Sequence, residues 1–189
     1  MTSPQTLKPP VNDNDHALGN SDAPVTLVEY GDYECPHCAR AHPRVKALQK
    51  RFGDRMRFVF RNFPLSEVHP HALHAAQAAE SVSAHANAVA FWKMHDLLFE
   101  NAQEHEDALD DDHLVTYARA AGTNGEEVQL DLERGAFSEQ VRADFLSGVR
   151  SGVNGTPTFF INGVRYDGDW STVATFAADI ESAMTAAVS

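Results

Sequence analysis

The stretch that decides the fold is residues 25–38, which read VTLVEYGDYECPHC. It opens with an apolar, largely β-branched run between Pro24 and Gly31, which is typical of a strand buried on both faces of a sheet. The motif Cys35-Pro36-His37-Cys38 follows after a short turn. Pro36 suits the first position of a helix, where its missing N–H costs nothing. The pattern therefore predicts a strand, a turn and a helix that begins at the cysteines.

The rest of the chain predicts two β-containing parts with helices between them. Apolar residues at helical spacing follow the cysteines, and residues 57–61 predict a second strand. No strand pattern occurs from residue 64 to about residue 152, where five helices are predicted. Strands resume at residues 158–161, and Asn162-Gly163 signals a hairpin turn before a closing helix. We predict an α/β fold with a mixed sheet (βαβ, then ββα) and an all-helical insertion.

These patterns divide the chain into four predicted segments. Residues 1–14 hold three of the prolines and show no periodicity, which predicts a flexible N-terminal arm. The first half of the sheet domain covers residues 15–63 and the second half residues 151–189. The helical insertion covers residues 64–150.

Composition excludes several classes of protein. With 15 Lys and Arg against 27 Asp and Glu, the 189 residues carry a net charge of −12. Nucleic-acid-binding proteins usually carry a basic surplus, so we expect no nucleic acid among the partners. Residues 40–61 nevertheless hold eight basic residues against one acid, Asp54. That stretch predicts a solvated helix face, with a docking patch for an acidic partner as the alternative.

The sequence also bears on membranes and compartment. No apolar run approaches the eighteen or so residues that span a bilayer, so no membrane insertion is expected. The first thirty residues contain no apolar run long enough for a signal peptide. The sequence as written predicts a cytoplasmic protein, and a periplasmic or extracellular one if a leader has been removed.

The two cysteines, Cys35 and Cys38, leave three interpretations open. A structural disulfide between residues three apart would remove little entropy from the unfolded chain. Zinc would need two further ligands, for which His69 and His74 are candidates at an unusual distance in the sequence. A redox-active dithiol has support from position, because a helix N-terminus favours the thiolate of Cys35. We predict the redox dithiol, with no metal and no cofactor. The alternative is a metal- or peptide-binding module that uses the two cysteines without redox turnover.

Neighbouring residues would adjust this chemistry. His37 can offer positive charge or an N–H donor to the Cys35 sulfur, and stabilising the thiolate makes the disulfide a better oxidant. Glu34 acts in the opposite sense, weakly if it is exposed to solvent. Glu29 lies on the predicted strand six residues before Cys35. It is either a carboxylate at the end of the strand or a buried acid that relays a proton to Cys38.

Three motifs together resemble the DsbA family of thiol-disulfide oxidoreductases. They are residues 28–38 (VEYGDYECPHC), 61–65 (RNFPL) and 155–163 (GTPTFFING), and the likeness extends from about residue 15 to the C-terminus. The resemblance implies a thioredoxin-like fold with an inserted helical domain. It further implies that Cys35 is the exposed attacking cysteine and Cys38 the buried resolving one. It favours the proton relay for Glu29.

The resemblance also implies how substrates bind. Pro157 is expected to be cis and to face the disulfide, with Thr156 beside it. Separately from the resemblance, the place of Tyr33 beside the cysteine motif predicts an apolar rim for a peptide. Strongly oxidising relatives typically carry Val at the position of Thr156, whereas isomerase-like relatives carry Thr. The expected partners are protein or peptide thiols and disulfides, together with a redox partner that recycles the Cys35–Cys38 pair. We expect a monomer or a weak dimer.

Overall fold

The computed structural model describes residues 5–187, which form a five-stranded mixed sheet and seven α-helices. In chain order the elements are β1 (His16–Leu18), β2 (Val25–Gly31), α1 (Pro36–Phe52), β3 (Met56–Asn62), α2 (Ala72–His85), α3 (Ala88–Asn101), α4 (Asp111–Ala121), α5 (Gly125–Arg134), α6 (Ser138–Arg150), β4 (Thr158–Ile161), β5 (Val164–Tyr166) and α7 (Val173–Ala187). This order confirms the predicted fold class.

The sheet has the order β1-β3-β2-β4-β5, so β2 is its central strand. β2 and β4 run antiparallel, with Leu27 opposite Ile161 and Tyr30 opposite Thr158. Val25, Leu27 and Val28 are fully buried, as the largely apolar run predicts. The central strand thereby brings its C-terminal end to the turn that carries the cysteines.

The N-terminal arm differs from the solvated segment that its composition predicts. The Leu7 side chain is buried, and its N–H donates to the Gly163 carbonyl at 2.8 Å. The Arg165 N–H donates in turn to the Gln5 carbonyl at 2.9 Å. β5 is an edge strand, and an edge strand has free backbone groups that a neighbouring segment can pair with. Residues 5–7 of the arm pair with this edge, whereas residues 1–4 lie outside the described part of the chain.

The residues divide into two compact units. The sheet unit comprises the residues up to Gly31, Arg40–Arg61 and the residues from Leu146 onward. The helical unit comprises Asp32–Ala39 and Asn62–Phe145. The residues around the cysteines therefore cluster with the helices, although the sequence places them between two strands.

Each unit has its own apolar core. In the sheet unit, Phe176 and Ile180 of α7 are buried, and the ring of Phe176 packs edge-on against Phe159 with centroids 5.0 Å apart. In the helical unit, Phe91 and Met94 of α3 are fully buried. The sequence pattern predicts these residues as core, and burial of such side chains is the main favourable contribution to folding.

Arg61 differs from the other basic residues of the stretch 40–61 because it is buried. Its guanidinium is buried in the sheet unit and forms a bidentate pair with Asp15, with N–O distances of 2.7 and 2.8 Å. It also donates to the Tyr30 hydroxyl and to the carbonyls of Pro9 and Pro10. Burial alone would lower the pKa of Arg61, but the bonds to Asp15 and Tyr30 raise it above its usual value. This residue stabilises the interior and is no part of a docking patch.

Candidate active site

The cysteines lie at the N-terminus of α1, as the sequence predicts. The Cys35 carbonyl accepts from the Ala39 N–H at 3.0 Å, so Cys35 is the residue that precedes the first helical turn. Pro36 occupies the first helical position, where no backbone donor is needed. Unpaired N–H groups and the helix dipole at such a position favour an anion, which here is the thiolate.

The two sulfur-bearing residues lie 3.9 Å apart, and both are free thiols. Cys38 is fully buried, whereas Cys35 retains 4% of its surface. The resemblance implies an exposed Cys35, so the structure corrects this expectation: Cys35 is also mostly enclosed. The adjacent Pro36 and His37 are exposed.

Two carboxylates tie the segment before Cys35 to the segment after β3. The Asp32 side chain accepts from the Glu34 N–H through Oδ1 and from the Leu65 N–H through Oδ2, each at 2.8 Å. Asp32 Oδ2 also lies 2.8 Å from Nδ1 of His69. The Glu34 Oε2 atom accepts from the His71 N–H at 2.7 Å. Sequence reasoning did not single out Asp32. An acidic residue in the turn before the cysteine motif is the sequence feature that could have indicated it.

Tyr33 takes a different place from the predicted apolar rim. It is 1% exposed, and its hydroxyl lies 3.1 Å from Nδ1 of His95. Its ring packs against Phe99 with centroids 4.9 Å apart. A buried tyrosine commonly finds such a polar partner for its hydroxyl. Tyr33 therefore anchors the turn in the interior of the helical unit and offers no surface to a peptide.

The histidines considered as zinc ligands contact two different carboxylates. His69 is bonded to Asp32, while Nδ1 of His74 lies 2.7 Å from Oδ1 of Asp111 at the start of α4. A zinc site would require both imidazoles to join the two cysteines as ligands of one ion. The geometry favours separate carboxylate–histidine pairs.

The remaining predicted site residues belong to the sheet unit. Glu29 is buried on β2 and lies opposite Phe159 of β4. The Thr156–Pro157 peptide bond is cis and directly precedes β4. The pairing of Tyr30 with Thr158 thus places Pro157 next to the C-terminal end of β2.

A hollow of about 190 Å³ opens beside Pro157 within the sheet unit. Arg165, Asp167 and Trp170 contribute to its lining. Arg165 Nε and Asp167 Oδ1 form an ion pair at 2.9 Å. The hollow offers a polar surface next to the start of β4.

The family model described as "Thioredoxin" matches residues 11–181, which is nearly the whole chain. BdbD from Bacillus subtilis, in its oxidised crystal structure, superposes with a TM-score of 0.85 and 26% identity. That comparison covers 97% of this chain and 100% of BdbD. The chain belongs to the DsbA-like thiol-disulfide oxidoreductases of the thioredoxin family.

Other DsbA-like structures share the fold. α-DsbA1 from Wolbachia pipientis superposes with a TM-score of 0.77 and 21% identity, covering 94% of each chain. The oxidised DsbA titled "Mtb DsbA" superposes with a TM-score of 0.69 and 24% identity, covering 90% of this chain and 92% of that one. The fold of this DsbA-like chain is thus shared by relatives of low sequence identity.

Curated relatives of this DsbA-like chain are much longer proteins named Na⁺/H⁺ antiporter NhaA. The one from Salinispora arenicola is 43% identical over 176 residues, and the one from Herminiimonas arsenicoxydans is 41% identical over 168 residues. The matches cover 88% of this chain, which spans about a quarter of the length of these relatives. Within residues 5–187, no helix combines the length and the apolar character that crossing a membrane requires.

Proposed function

We propose that this chain catalyses dithiol–disulfide exchange with protein or peptide substrates through Cys35 and Cys38. The observation that carries the proposal is the pair of free thiols 3.9 Å apart at the N-terminus of α1. Thiolates are the attacking species in disulfide exchange, and a helix N-terminus stabilises the thiolate of its first cysteine. We assign attack to Cys35, which lies at the helix end and retains 4% of its surface, and resolution to Cys38, which is fully buried.

In the oxidising direction, a substrate thiolate attacks Cys35 Sγ of the enzyme disulfide. The Cys35–Cys38 bond breaks, and Cys38 leaves as a thiolate that takes up a proton. A second substrate thiolate then attacks the substrate sulfur of the mixed disulfide and expels the Cys35 thiolate. The substrate gains one disulfide and loses two electrons and two protons, while the enzyme becomes a dithiol.

In the reducing direction the same bonds form and break in reverse. The Cys35 thiolate attacks a substrate disulfide, and Cys38 displaces the substrate from the mixed disulfide. The helix N-terminus stabilises the thiolate and therefore the reduced enzyme, which favours the oxidising direction. His37, the exposed residue between the cysteines, supports the same bias by offering an N–H donor or positive charge near Cys35.

Glu29 is the proposed proton relay for Cys38. Its carboxyl is buried on the central strand, and the chain runs from this strand directly into the turn that carries Cys35. A buried carboxyl group is suited to exchanging a proton with a cysteine that lacks solvent access. Glu29 would donate when Cys38 leaves as a thiolate and would accept when Cys38 attacks.

Thr156 and Pro157 form the proposed substrate-binding edge. They precede β4, and an extended peptide can pair with the backbone beside the start of a strand. The adjacent hollow, which is lined by Arg165 and Asp167, would hold a polar side chain of the substrate. The proposed substrates are therefore extended, incompletely folded segments that carry a thiol or a disulfide.

Turnover also requires a redox partner and a suitable compartment. After each oxidation the Cys35–Cys38 dithiol must pass its two electrons to another disulfide-bearing protein. No metal or organic cofactor takes part in the proposed exchange, because the two thiols carry both electrons. An oxidising compartment would keep such a pair as the disulfide, whereas a cytosolic glutathione pool would keep it reduced.

The sharpest test replaces Cys38 by Ser. The Cys38→Ser variant should accumulate mixed disulfides with substrate, because no second thiol remains to resolve the Cys35 adduct. Incubation with a disulfide-containing model protein, acid quenching and non-reducing electrophoresis with mass spectrometry would show the adducts and their attachment site. Cys35→Ser is the matched control and should form none.

The wild type should also oxidise a reduced model protein or reduce an oxidised one. Its equilibrium with glutathione gives the reduction potential and thus the favoured direction. Absence of Cys35 adducts, together with no exchange in either direction, would contradict the proposed function.

A further inference from the structure

Asp32 is an acidic residue close to the reactive cysteine, and the proposed exchange mechanism gives it no role. Its side chain is fully buried in the helical unit, three residues before Cys35. Its carbonyl oxygen accepts the Cys35 N–H at 3.1 Å. Any shift of Asp32 would therefore move the backbone of the attacking residue.

The carboxylate of Asp32 fixes two loops with its two oxygens. Oδ1 holds the Glu34 N–H, which lies within the turn that carries Cys35. Oδ2 holds the Leu65 N–H and the His69 imidazole, which lie on the segment after β3. A carboxylate only accepts hydrogen bonds, so Nδ1 of His69 carries the hydrogen. One buried side chain thus connects the turn before Cys35 to a segment more than thirty residues away.

A buried anion near a sulfur that must ionise needs a counter-charge. Among the described residues, His69 is the basic side chain paired with Asp32, and 19% of it is exposed. An unpaired buried charge is costly, and a carboxylate so close to Cys35 would repel the thiolate. Nδ1 of His69, 2.8 Å from Oδ2 of Asp32, is placed to offset that repulsion while the other hydrogen bonds of the carboxylate stay in place.

We propose that Asp32 and His69 form a charge-compensated positioning pair for Cys35. Asp32 holds the turn that carries the sulfur, and His69 neutralises the carboxylate so that the Cys35 thiolate is not destabilised. This inference rests on the proposed function, because it assigns the pair a part in the reactivity of Cys35. It extends the site to two residues that contact neither substrate nor the reacting atoms.

The test measures the equilibrium of each variant with reduced and oxidised glutathione. Both redox forms are folded, so a loss of stability common to both leaves this equilibrium unchanged. Asp32→Asn removes a negative charge and should shift the equilibrium constant with glutathione about fivefold toward the reduced enzyme. His69→Ala leaves the carboxylate uncompensated and should decrease the same constant about fivefold. The double variant should return close to the wild-type value.

The matched control is His85, whose Nε2 lies 2.8 Å from Oδ2 of Asp131 at the other end of α2. His85→Ala removes a carboxylate–histidine pair of equal length and should leave the equilibrium unchanged. His69→Asn keeps a donor without the charge, so it should shift the constant as His69→Ala does. If Asp32→Asn does not fold, the two His69 variants and the His85 control still test whether His69 compensates the charge of Asp32.

Opposite shifts for the Asp32 and His69 variants would support the proposal. Shifts in the same direction would indicate a structural role alone, and unchanged constants for both His69 variants would overturn the charge compensation. Failure of the wild type to exchange with glutathione at all would instead contradict the proposed function. The two failures are therefore distinguishable.

Discussion

Among the described residues, the Arg61–Asp15 pair of the sheet unit and the His69–Asp32 pair of the helical unit each hold a buried carboxylate, and they differ in kind. In the sheet unit, Arg61 uses its N–H groups on Asp15, on Tyr30 and on two backbone carbonyls. In the helical unit, His69 offers a single ring N–H to Asp32, whose other acceptor sites hold backbone N–H groups. An arginine side chain always carries its charge, whereas an imidazole is charged only when both ring nitrogens hold a proton.

The difference indicates separate tasks for the two pairs. An arginine with all its donors satisfied fixes the position of strands and the N-terminal arm. A carboxylate–histidine pair next to the cysteines can alter the charge around a reactive sulfur. We therefore expect the first pair to determine stability and the second to determine redox equilibrium.

The largest effect should follow replacement of Arg61 by Met. Asp15 would then stay buried without its partner, and the free energy of unfolding should fall by about 3–5 kcal/mol. Denaturant unfolding of the reduced and of the oxidised protein measures this loss. The loss should be the same in both forms, so the equilibrium with glutathione should stay at the wild-type value.

The control for Arg61 is Arg51, which pairs with Glu181 at 2.9 Å while both side chains remain 47% exposed. Arg51→Met should cost about 1 kcal/mol or less, because exposed ion pairs contribute little. A change in the glutathione equilibrium of Arg61→Met would contradict the expectation that the Arg61–Asp15 pair determines stability and the Asp32–His69 pair the redox equilibrium.

Local patterns predicted the elements that position the site. The apolar run of β2, Pro36 at the start of α1 and the Asn162-Gly163 hairpin are signals within a few residues, and all three occur in the structure. β1 was missed because His16–Leu18 spans three residues without an alternating pattern. Its existence depends on antiparallel pairing with β3, about forty residues further along the chain.

The errors at the site have the same physical origin. Tyr33 was predicted on a rim because an aromatic residue beside a motif suits a peptide surface. Its burial depends on His95 and Phe99, which lie more than sixty residues away. The partners of Asp32 are likewise distant in sequence, so local periodicity carries no information about them. The position of the cysteines at the start of α1 was predicted correctly because it depends on signals within a few residues of one helix end, while their catalytic role stays a prediction.

A smaller effect is expected from Glu29→Gln, which concerns a buried acid of the sheet unit that has a proposed catalytic role. Glutamine keeps the size of the side chain but cannot relay a proton. The rate at which Cys38 resolves the mixed disulfide should fall about tenfold, somewhat below the usual range for general acid–base catalysis. Rapid-mixing kinetics with a fluorescent disulfide substrate would measure the resolution step.

The rates of the two chemical steps separate a relay from a structural role for Glu29. A relay changes the rate of proton transfer, whereas the rate of adduct formation at Cys35 should stay within about twofold of the wild type. If resolution proceeds at the wild-type rate in Glu29→Gln, the carboxyl group is only a packed strand residue. Stability measurements on the same variant would then show whether its burial is costly.

The smallest effect tests an exposed counterpart of the Asp32–His69 pair. Asp110 precedes α4, and its Oδ1 accepts from the His113 N–H at 3.0 Å and lies 2.7 Å from Nδ1 of His113. The hydrogen bond from the His113 backbone lowers the pKa of Asp110. Asp110→Ala removes this helix cap and should lower the free energy of unfolding at neutral pH by about 1 kcal/mol.

The pH dependence of that loss follows from the direction of the pKa shift. A carboxyl whose pKa is lower in the folded state stabilises the protein above its unfolded pKa of about 3.9. That stabilisation disappears as the pH falls through the lower, folded-state pKa. The difference in unfolding free energy between wild type and Asp110→Ala should therefore be constant near neutrality and shrink in acid.

Asp112, which lies in the first turn of α4, provides the control for this titration. It interacts with the helix dipole, so Asp112→Ala should cost no more than a few tenths of a kcal/mol. Equal losses for both variants would mean that the dipole rather than the bond to His113 stabilises this end of α4. A larger loss of stability for Asp110→Ala than for Asp112→Ala would show that the bond to His113 stabilises this end of α4. An unchanged glutathione equilibrium in Asp110→Ala would distinguish this exposed pair from the Asp32–His69 pair, whose variants are expected to change it.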